Sequence, residues 1–373
     1  MESKSLTKEL NKEYQTIDAI RFPLVVMVVM LHSFIEELTF NGSTKMFCVE
    51  DYPIYCNIGY LISKIIARSA VPTFFIISGY LLYKSIGGNL TMEKYKAKLR
   101  SRARTILVPY VLWNTAIILI MLAAQTVFPQ YLSGDNKNVA DYTILDLTKA
   151  FWCLDPEQAP INFPLWYLRD LMVNIIISPL IYLAIKKTKF ALLIILFALH
   201  ILGIDTGIAG LSIGSMMYFS AGMYMAINGI SIIKVFQKIK MPAFLTYAVL
   251  ILIAMINNNI KMISDNENAI LGVMYRMIGA ICIINVATMI TDKTRESLSR
   301  LSKYTFFIFA YHAWVLRFAQ KLTAKTIGTD SDIVMTATYI IIPIIVIATG
   351  VICQNTIKRI SPKTEAILTG NRG

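Results

Sequence analysis

The chain alternates long apolar segments with polar loops. Apolar runs of roughly 20 residues are long enough to cross about 30 Å of hydrocarbon as α-helices. The fifth run is short, and His312 and Arg317 interrupt the ninth. The pattern predicts an all-α integral membrane protein with ten transmembrane helices in a single polytopic domain over residues 1–373. The ten predicted helices lie near 19–40, 58–83, 106–128, 165–185, 190–204, 211–228, 243–259, 269–290, 304–321 and 334–356.

The loops on the two predicted sides of the membrane differ in positive charge. One set holds most of the 36 lysines and arginines, including the basic stretch at 84–104. In the other set, residues 41–57 contain one lysine and residues 129–164 contain only two. Because basic loops stay in the cytoplasm, we expect both termini to be cytoplasmic, with residues 1–17 as an N-terminal segment and residues 357–373 as a tail.

Composition supports this interpretation. The chain is 56% hydrophobic and 16% charged, with a mean hydropathy of +0.58, whereas about a quarter of an average soluble domain is charged. The net charge of +13 is concentrated in one set of loops, so it indicates topology and contact with anionic lipid or a cytoplasmic anion. We expect a lipid bilayer and no nucleic acid as partner. The polar N-terminus lacks a cleavable signal pattern, so the first apolar segment should remain in the mature protein.

The five cysteines include no CxxC pair, and the sequence contains no HExxH, GxSxG or nucleotide-binding glycine loop. It therefore predicts no metal or redox site. Cys48 and Cys56 flank a loop predicted to lie outside the cytoplasm. Both a disulfide and two free thiols fit this position.

The first apolar helix carries the most informative polar residues. Arg21 and His32 are eleven positions apart, close to three helical turns, so they share one face. Asp18 precedes Arg21 by three residues and Glu36 follows His32 by four, which extends the stripe. The rise from Arg21 to His32 is about 16 Å, half of the hydrocarbon thickness. The spacing therefore predicts Arg21 at the cytoplasmic edge and His32 near mid-membrane.

Ionisable residues inside a membrane are costly and usually functional. Arg21 could bind phosphate or simply extend to the membrane edge. His32 could be a general base or a buried packing residue, and Glu36 could orient it. In the second segment, Arg68 is hard to explain by packing, and Pro72 should kink the helix just after it.

Further candidates lie outside the first helix. The cluster of Arg100, Arg102 and Arg104 fits either a topology signal or a polyphosphate site. The outer mouth carries polar and aromatic groups that fit either an interfacial belt with a polar network or a sugar-binding site. His312 could line the same cavity as His32 or be satisfied structurally. The substrate-binding candidates predicted from these patterns are Trp166, Arg169, Asp170 and His312.

Together these residues resemble the membrane-bound acyltransferase-3 family, whose signature is an arginine and a histidine separated by ten residues, as in Arg21 and His32. The similarity extends from about residue 15 to 357. It includes "AVPTFFIISGYLL" at 70–82, "RSRARTILVPYVLW" at 100–113, "PLWYLRDLM" at 164–172 and "SKYTFFIFAYHAWVL" at 302–316.

The resemblance implies transfer of an acyl group, usually acetyl, from cytoplasmic acyl-CoA to a hydroxyl of a glycan at or beyond the outer face. It implies a bacterial inner-membrane O-acetyltransferase of the stand-alone branch that modifies surface polysaccharides, with acetyl-CoA as donor substrate and no permanently bound cofactor. His32 would be the catalytic residue. The arginines that would receive the coenzyme are Arg21, Arg68, Arg100, Arg102 and Arg104.

One departure affects the acceptor side. Many members read W-S-L-x-x-E where this chain reads Trp166–Tyr167–Leu168–Arg169–Asp170, so the motif does not assign an acceptor role there. A small-molecule transporter is the main alternative, because a polar-lined helix bundle would also serve transport. A purely structural or sensor protein would leave the intramembrane charges unexplained. The sequence leaves the acyl chain, the acceptor and oligomerisation open.

Overall fold

The computed structural model describes residues 2–40, 43–127, 137–154 and 158–371, and these residues are mainly helical. Short π- and 3-10 segments adjoin several of the helices. The α-helices in these ranges are α1 (Glu2–Ser33), α2 (Pro53–Gly59), α3 (Ala70–Lys84), α4 (Met92–Arg102), α5 (Val108–Val127), α6 (Ile144–Trp152), α7 (Trp166–Thr188), α8 (Ala191–Ile201), α9 (Ile213–Ile227), α10 (Ile232–Lys238), α11 (Lys240–Ile260), α12 (Asp265–Met289), α13 (Asp292–Leu301), α14 (Thr305–Thr326), α15 (Asp332–Ile360) and α16 (Pro362–Thr369). Strands β1 (Glu37–Phe40) and β2 (Ser43–Met46) form an antiparallel hairpin.

Each of the ten predicted apolar segments contains a helix, which confirms the all-α membrane fold. The fifth is short, as predicted, because α8 has only 11 residues. Helices α9 and α10 are together long and apolar enough to cross a membrane, but the angle between them is 103°. The count of ten spans therefore stays a prediction. The described stretches long and apolar enough to cross a membrane singly are Asn11–Ser33, Pro53–Lys84, Met92–Val127, Phe163–Thr188, Lys240–Ile260, Asn266–Met289 and Asp332–Ile360.

The loops predicted to lie on the same side of the membrane contact one another at the same end of the helix bundle. At the end predicted to be cytoplasmic, the Asp18 carboxylate on α1 accepts hydrogen bonds from Ser299 on α13 and Ser302. At the other end, Lys45 on β2 pairs with Asp330 between α14 and α15. Helix α14 therefore runs from one end to the other despite its charged residues.

The second span is tightly packed and locally irregular. Its hydrogen bonding is π-helical over Tyr60–Ile66 and 3-10 over Ala67–Ser69 before α3 begins. This irregularity lies just before Pro72, where a regular helix cannot donate a backbone hydrogen bond. Further along, a Cβ on Gly79 would overlap the Phe219 carbonyl on α9. The backbones of α3 and α9 therefore approach each other closely at Gly79.

The prediction that Glu36 extends the polar stripe of the first helix is wrong. Helix α1 ends at Ser33, and the chain turns into the β-hairpin at Glu37. Glu36 thus lies beyond the helix, and its carboxylate pairs with Lys64 Nζ at 2.5 Å. The helical period could not reveal this, because nothing in it marks where the helix stops.

The two cysteines of the outer loop are free thiols in the structure. The exposed Cys48 Sγ donates to Asp51 Oδ2 at 3.1 Å. The buried Cys56 Sγ points to the Phe47 carbonyl at 3.5 Å. Of the two alternatives that the sequence leaves open, the structure contains the unpaired thiols.

Candidate active site

Two histidines stack between α1 and α14 inside the helix bundle. The rings of His32 and His312 have centroids 5.5 Å apart and planes inclined by 27°. His312 is completely buried, whereas His32 is half-buried. In the described part of the chain, no hydrogen bond holds either ring nitrogen of His32. Its imidazole is therefore free to bind a reacting group.

The hydrogen bonds of His312 fix its tautomer. Nδ1 lies 3.1 Å from the Ile308 carbonyl oxygen and 2.8 Å from the Phe309 carbonyl oxygen. Because carbonyl oxygens only accept hydrogen bonds, Nδ1 must carry the hydrogen. In the neutral imidazole Nε2 then has a lone pair, and this buried atom has no partner among the described residues. An unpaired basic nitrogen therefore lies beside the His32 ring.

Phe163 and Arg317 complete the surroundings of His32. The Phe163 ring contacts the His32 ring edge to face, with centroids 4.8 Å apart. The guanidinium of Arg317 lies 4.9 Å from the centroid of the same phenyl ring, in a cation–π arrangement. The Arg317 guanidinium and His32 thus contact the same phenyl ring. In this position the guanidinium can attract negative charge that develops beside His32.

A cavity of about 430 Å³ opens beneath this cluster on the side predicted to be cytoplasmic. Its mouth carries Arg21 and Arg102, and its floor carries Tyr167 and Phe309. The Phe309 ring is 6.3 Å from that of His312, centroid to centroid. One aromatic layer therefore separates the cavity floor from the histidine pair.

Neighbouring polar groups hold Arg21 at this mouth. Its Nη1 lies 2.7 Å from Asp18 Oδ1. The other carboxylate oxygen of Asp18 accepts from Ser299 near the end of α13 and from Ser302 in the turn between α13 and α14. The arginine side chain is still 41% exposed, so it can also contact a ligand. Arg21 and His32 lie on the same helix, as the sequence predicts, and the position of Arg21 at the cytoplasmic edge stays a prediction.

The structure brings together only some of the predicted coenzyme-binding arginines. Arg102 is half-buried and lines the cavity with Arg21, whereas Arg100 and Arg104 are exposed. Arg68 lines a different cavity, together with Lys64 and Arg276. Arg68 and Arg21 thus line separate cavities, because residues 60–69 lie in the half of the second span that is predicted to face outward. The coenzyme-binding role of Arg68 stays a prediction.

Comparison with known proteins decides the family. Residues 14–353 match the acyltransferase domain of the acyltransferase-3 family. The chain belongs to that family. It is also 28% identical over 362 residues to the succinoglycan biosynthesis protein ExoH of Rhizobium meliloti (strain 1021), an alignment that covers 95% of this chain and 92% of that protein. No solved structure matches it significantly. The protein is therefore a multi-pass membrane acyltransferase.

In this acyltransferase, the polar pair of α7 ties loops together. Arg169 and Asp170 are buried and form an ion pair at 3.0 Å. Arg169 Nη1 also donates to the backbone carbonyls of Trp152 and Gln158, each at 2.8 Å. Asp170 Oδ2 accepts from Ser212 Oγ at 3.2 Å. These contacts occupy the polar atoms of the pair within the protein, and the substrate role of Arg169 and Asp170 stays a prediction.

Other predicted and unpredicted residues of the acyltransferase also have clear positions. Trp166 is half-buried at the start of α7 and packs against the core, and its substrate role stays a prediction. The sequence did not indicate Phe163 and Tyr167 as site residues, although Tyr167 lies in the motif at 164–172 and Phe163 directly precedes it. Tyr167 OH is 3.1 Å from Ser78 Oγ, which fixes the cavity floor to α3. Nothing in a single sequence distinguishes such aromatic residues from ordinary core residues.

Proposed function

We propose that this acyltransferase moves an acetyl group from cytoplasmic acetyl-CoA to a hydroxyl of an extracytoplasmic glycan, in a bacterial inner membrane. The observation that carries the proposal is the cavity that begins at Arg21 and Arg102 and ends one aromatic layer from His32 and His312. Such a cavity suits a long ligand that is anionic at one end and reactive at the other.

The mouth of the cavity suits the nucleotide end of the donor. Coenzyme A carries phosphates, and guanidinium groups bind phosphate through charge-assisted, often bidentate, hydrogen bonds. Asp18 holds Arg21 in place at the mouth. The rise of about 16 Å along α1 from Arg21 to His32 is comparable to the length of an extended pantetheine arm. The thioester can then approach the histidines while the phosphates stay at the membrane edge.

His32 has two chemical routes open to it. As a general base it would take the proton of the acceptor hydroxyl while the oxygen attacks the thioester carbon and the C–S bond breaks. As a nucleophile it would first carry the acyl group itself and then pass it to the hydroxyl. In both routes the CoA thiolate leaves and is protonated. Arg317 would stabilise negative charge on the carbonyl oxygen, and His312 Nε2 would accept a hydrogen bond near the reacting atoms.

The glycan acceptor is proposed from the relative. ExoH is by name a succinoglycan biosynthesis protein, and the alignment covers almost the whole of both chains. A polysaccharide hydroxyl on the outer side is therefore the acceptor class that we assign to this enzyme.

Glu36 provides a first check on the roles within the site. Because its carboxylate is 57% exposed and pairs with Lys64, Glu36→Gln should change stability by at most about 1 kcal/mol and should leave most of the transfer activity intact. Acetyl transfer by purified Glu36→Gln protein measures this. A loss comparable to that caused by removing His32 would instead give Glu36 a direct catalytic role.

The proposed function is tested with acetyl-CoA labelled in its acetyl group. Purified protein is reconstituted in proteoliposomes that contain the labelled donor, and an oligosaccharide is supplied outside. We expect free CoA thiol to accumulate inside while label appears on external saccharide. A transporter would move label without releasing CoA, and this outcome would refute the acyltransfer route.

A further inference from the structure

A second and larger cavity lies on the side of the bundle predicted to face outward. Its volume is about 830 Å³, and it lies between the irregular part of the second span, the loop after α8 and the first half of α12. Unlike the inner cavity, its lining is rich in charged and amide side chains. The lining residues that can carry a charge near neutral pH are Glu36, Lys64, Arg68, His200, Asp205 and Arg276.

The negative charges of this outer cavity are already engaged. Glu36 pairs with Lys64. Asp205 Oδ1 accepts from the backbone N–H groups of Thr206 and Ile213, at 2.7 and 2.9 Å. The carboxylates therefore cap the local backbone or neutralise a lysine, and they leave the arginines of the cavity unpaired.

The two arginines are half-buried and lack an acidic partner. Within the described ranges, neither Arg68 nor Arg276 has a carboxylate at salt-bridge distance. Arg276 Nε donates to the Gly272 carbonyl at 2.8 Å, which fixes the side chain and leaves its terminal nitrogens available. Partly desolvated guanidinium groups without a counter-charge favour binding of an anion.

The remaining lining fits a saccharide. Tyr60 and Tyr275 provide aromatic surface, and Asn266 and Asn268 provide amide groups that can hydrogen-bond hydroxyls. The rim reaches Glu36, four residues beyond His32. A glycan in this cavity would thus enter the acyltransferase close to the end of α1, where the proposed catalytic histidine lies.

We propose that the outer cavity is the acceptor site and that it selects an acidic glycan, whose carboxylate or phosphate oxygens pair with Arg68 and Arg276. This inference rests on the proposed function, because it names the substrate class of the same reaction. It reassigns Arg68 from the donor to the acceptor. Acid groups on the glycan would fix the register of the chain and thereby select which hydroxyl reaches His32.

Binding of defined saccharides tests the inference without any turnover. Purified His32→Ala protein is titrated, in the absence of acetyl-CoA, with tetragalacturonate and its neutral methyl ester, and with maltotetraose 1-phosphate and neutral maltotetraose. We expect at least one acidic probe to bind about tenfold or more tightly than its neutral counterpart, since a charge-assisted pair stabilises a complex by at least 1.4 kcal/mol. The carboxylate and phosphate probes distinguish which acid group is recognised.

Variants then locate the binding. Arg68→Gln and Arg276→Gln should each weaken the acidic probe about tenfold, while Arg68→Lys and Arg276→Lys should retain part of the affinity. The matched control is Lys261→Asn, which removes an exposed cation at the same end, at a left-handed position (φ 47°) that asparagine tolerates. Retained acetyl-CoA binding by each variant shows that the protein is folded.

Three results would overturn the inference. They are equal binding of acidic and neutral probes, no binding of any probe, and loss of affinity in Lys261→Asn as large as in the arginine variants. Because donor binding is measured separately, failure of the acceptor site leaves the donor cavity standing. A protein that binds acidic saccharide but not acetyl-CoA would refute the proposed function alone.

Discussion

Removal of Arg102 tests the donor cavity most selectively, because Arg100 provides a matched control on the same helix. Arg102 is half-buried and lines the cavity mouth, whereas Arg100 is exposed and does not. Each substitution to alanine removes one positive charge from the last turn of α4. Any effect of net charge on the attraction of acetyl-CoA should therefore be common to both variants.

The expected magnitude follows from the contact that is lost. A hydrogen bond to a charged group contributes about 1.5–3 kcal/mol, so Arg102→Ala should weaken acetyl-CoA binding about 10- to 150-fold. Arg100 is exposed and lies outside the lining of the cavity. Its charge is screened by salt and makes no direct contact to the donor, so Arg100→Ala should change the affinity less than about twofold.

Isothermal titration of purified protein in detergent gives both affinities directly. The acidic saccharides that we assign to the outer cavity provide a folding control, because neither arginine contributes to that cavity. Equal losses in the two variants would mean that α4 attracts the donor only by its overall charge. Unchanged affinity in Arg102→Ala would refute the assignment of this cavity to the donor.

Three further predictions concern helix packing, membrane topology and the reactivity of a thiol. Gly79→Val should lower the stability of the helix pair by about 1–3 kcal/mol or more, because its Cβ would overlap the Phe219 carbonyl; the thermal midpoint measures this, and an unchanged midpoint would contradict the packing. A membrane-impermeant maleimide should label the exposed Cys48 from outside the cell, and cytoplasmic labelling would contradict the predicted topology. Because the hydrogen bond to the Asp51 carboxylate raises the pKa of the Cys48 thiol, its thiolate should form at higher pH than that of an ordinary cysteine; Asp51→Asn should therefore accelerate labelling near neutral pH.

The spans could be predicted from sequence because membrane helices depend on apolar length, which is a local property. The same holds for Arg21 and His32, whose relation is fixed by a single helix. The end of α1 could not be predicted in this way, and Glu36 was misplaced for that reason. A helix terminus depends on the hairpin that follows and on tertiary contacts such as the pair between Glu36 and Lys64.

The composition of the site depends on packing between distant segments. The stacking of His32 on His312 requires α1 and α14 to be neighbours, and no spacing along the chain encodes that. Similarly, the depth of Arg68 in its own span does not reveal which cavity it lines. Phe163 contacts both His32 and Arg317 because the short 3-10 turn before α7 brings it into the bundle.

The central claim is that His32 carries out acyl transfer between the two cavities. The most direct measurement is acetyl transfer by purified His32→Ala protein, with acetyl-CoA binding measured on the same preparation. Loss of a general base lowers a rate about 10²- to 10⁴-fold, so we predict a loss of at least about 100-fold with donor affinity unchanged. Full activity in His32→Ala protein would contradict the account.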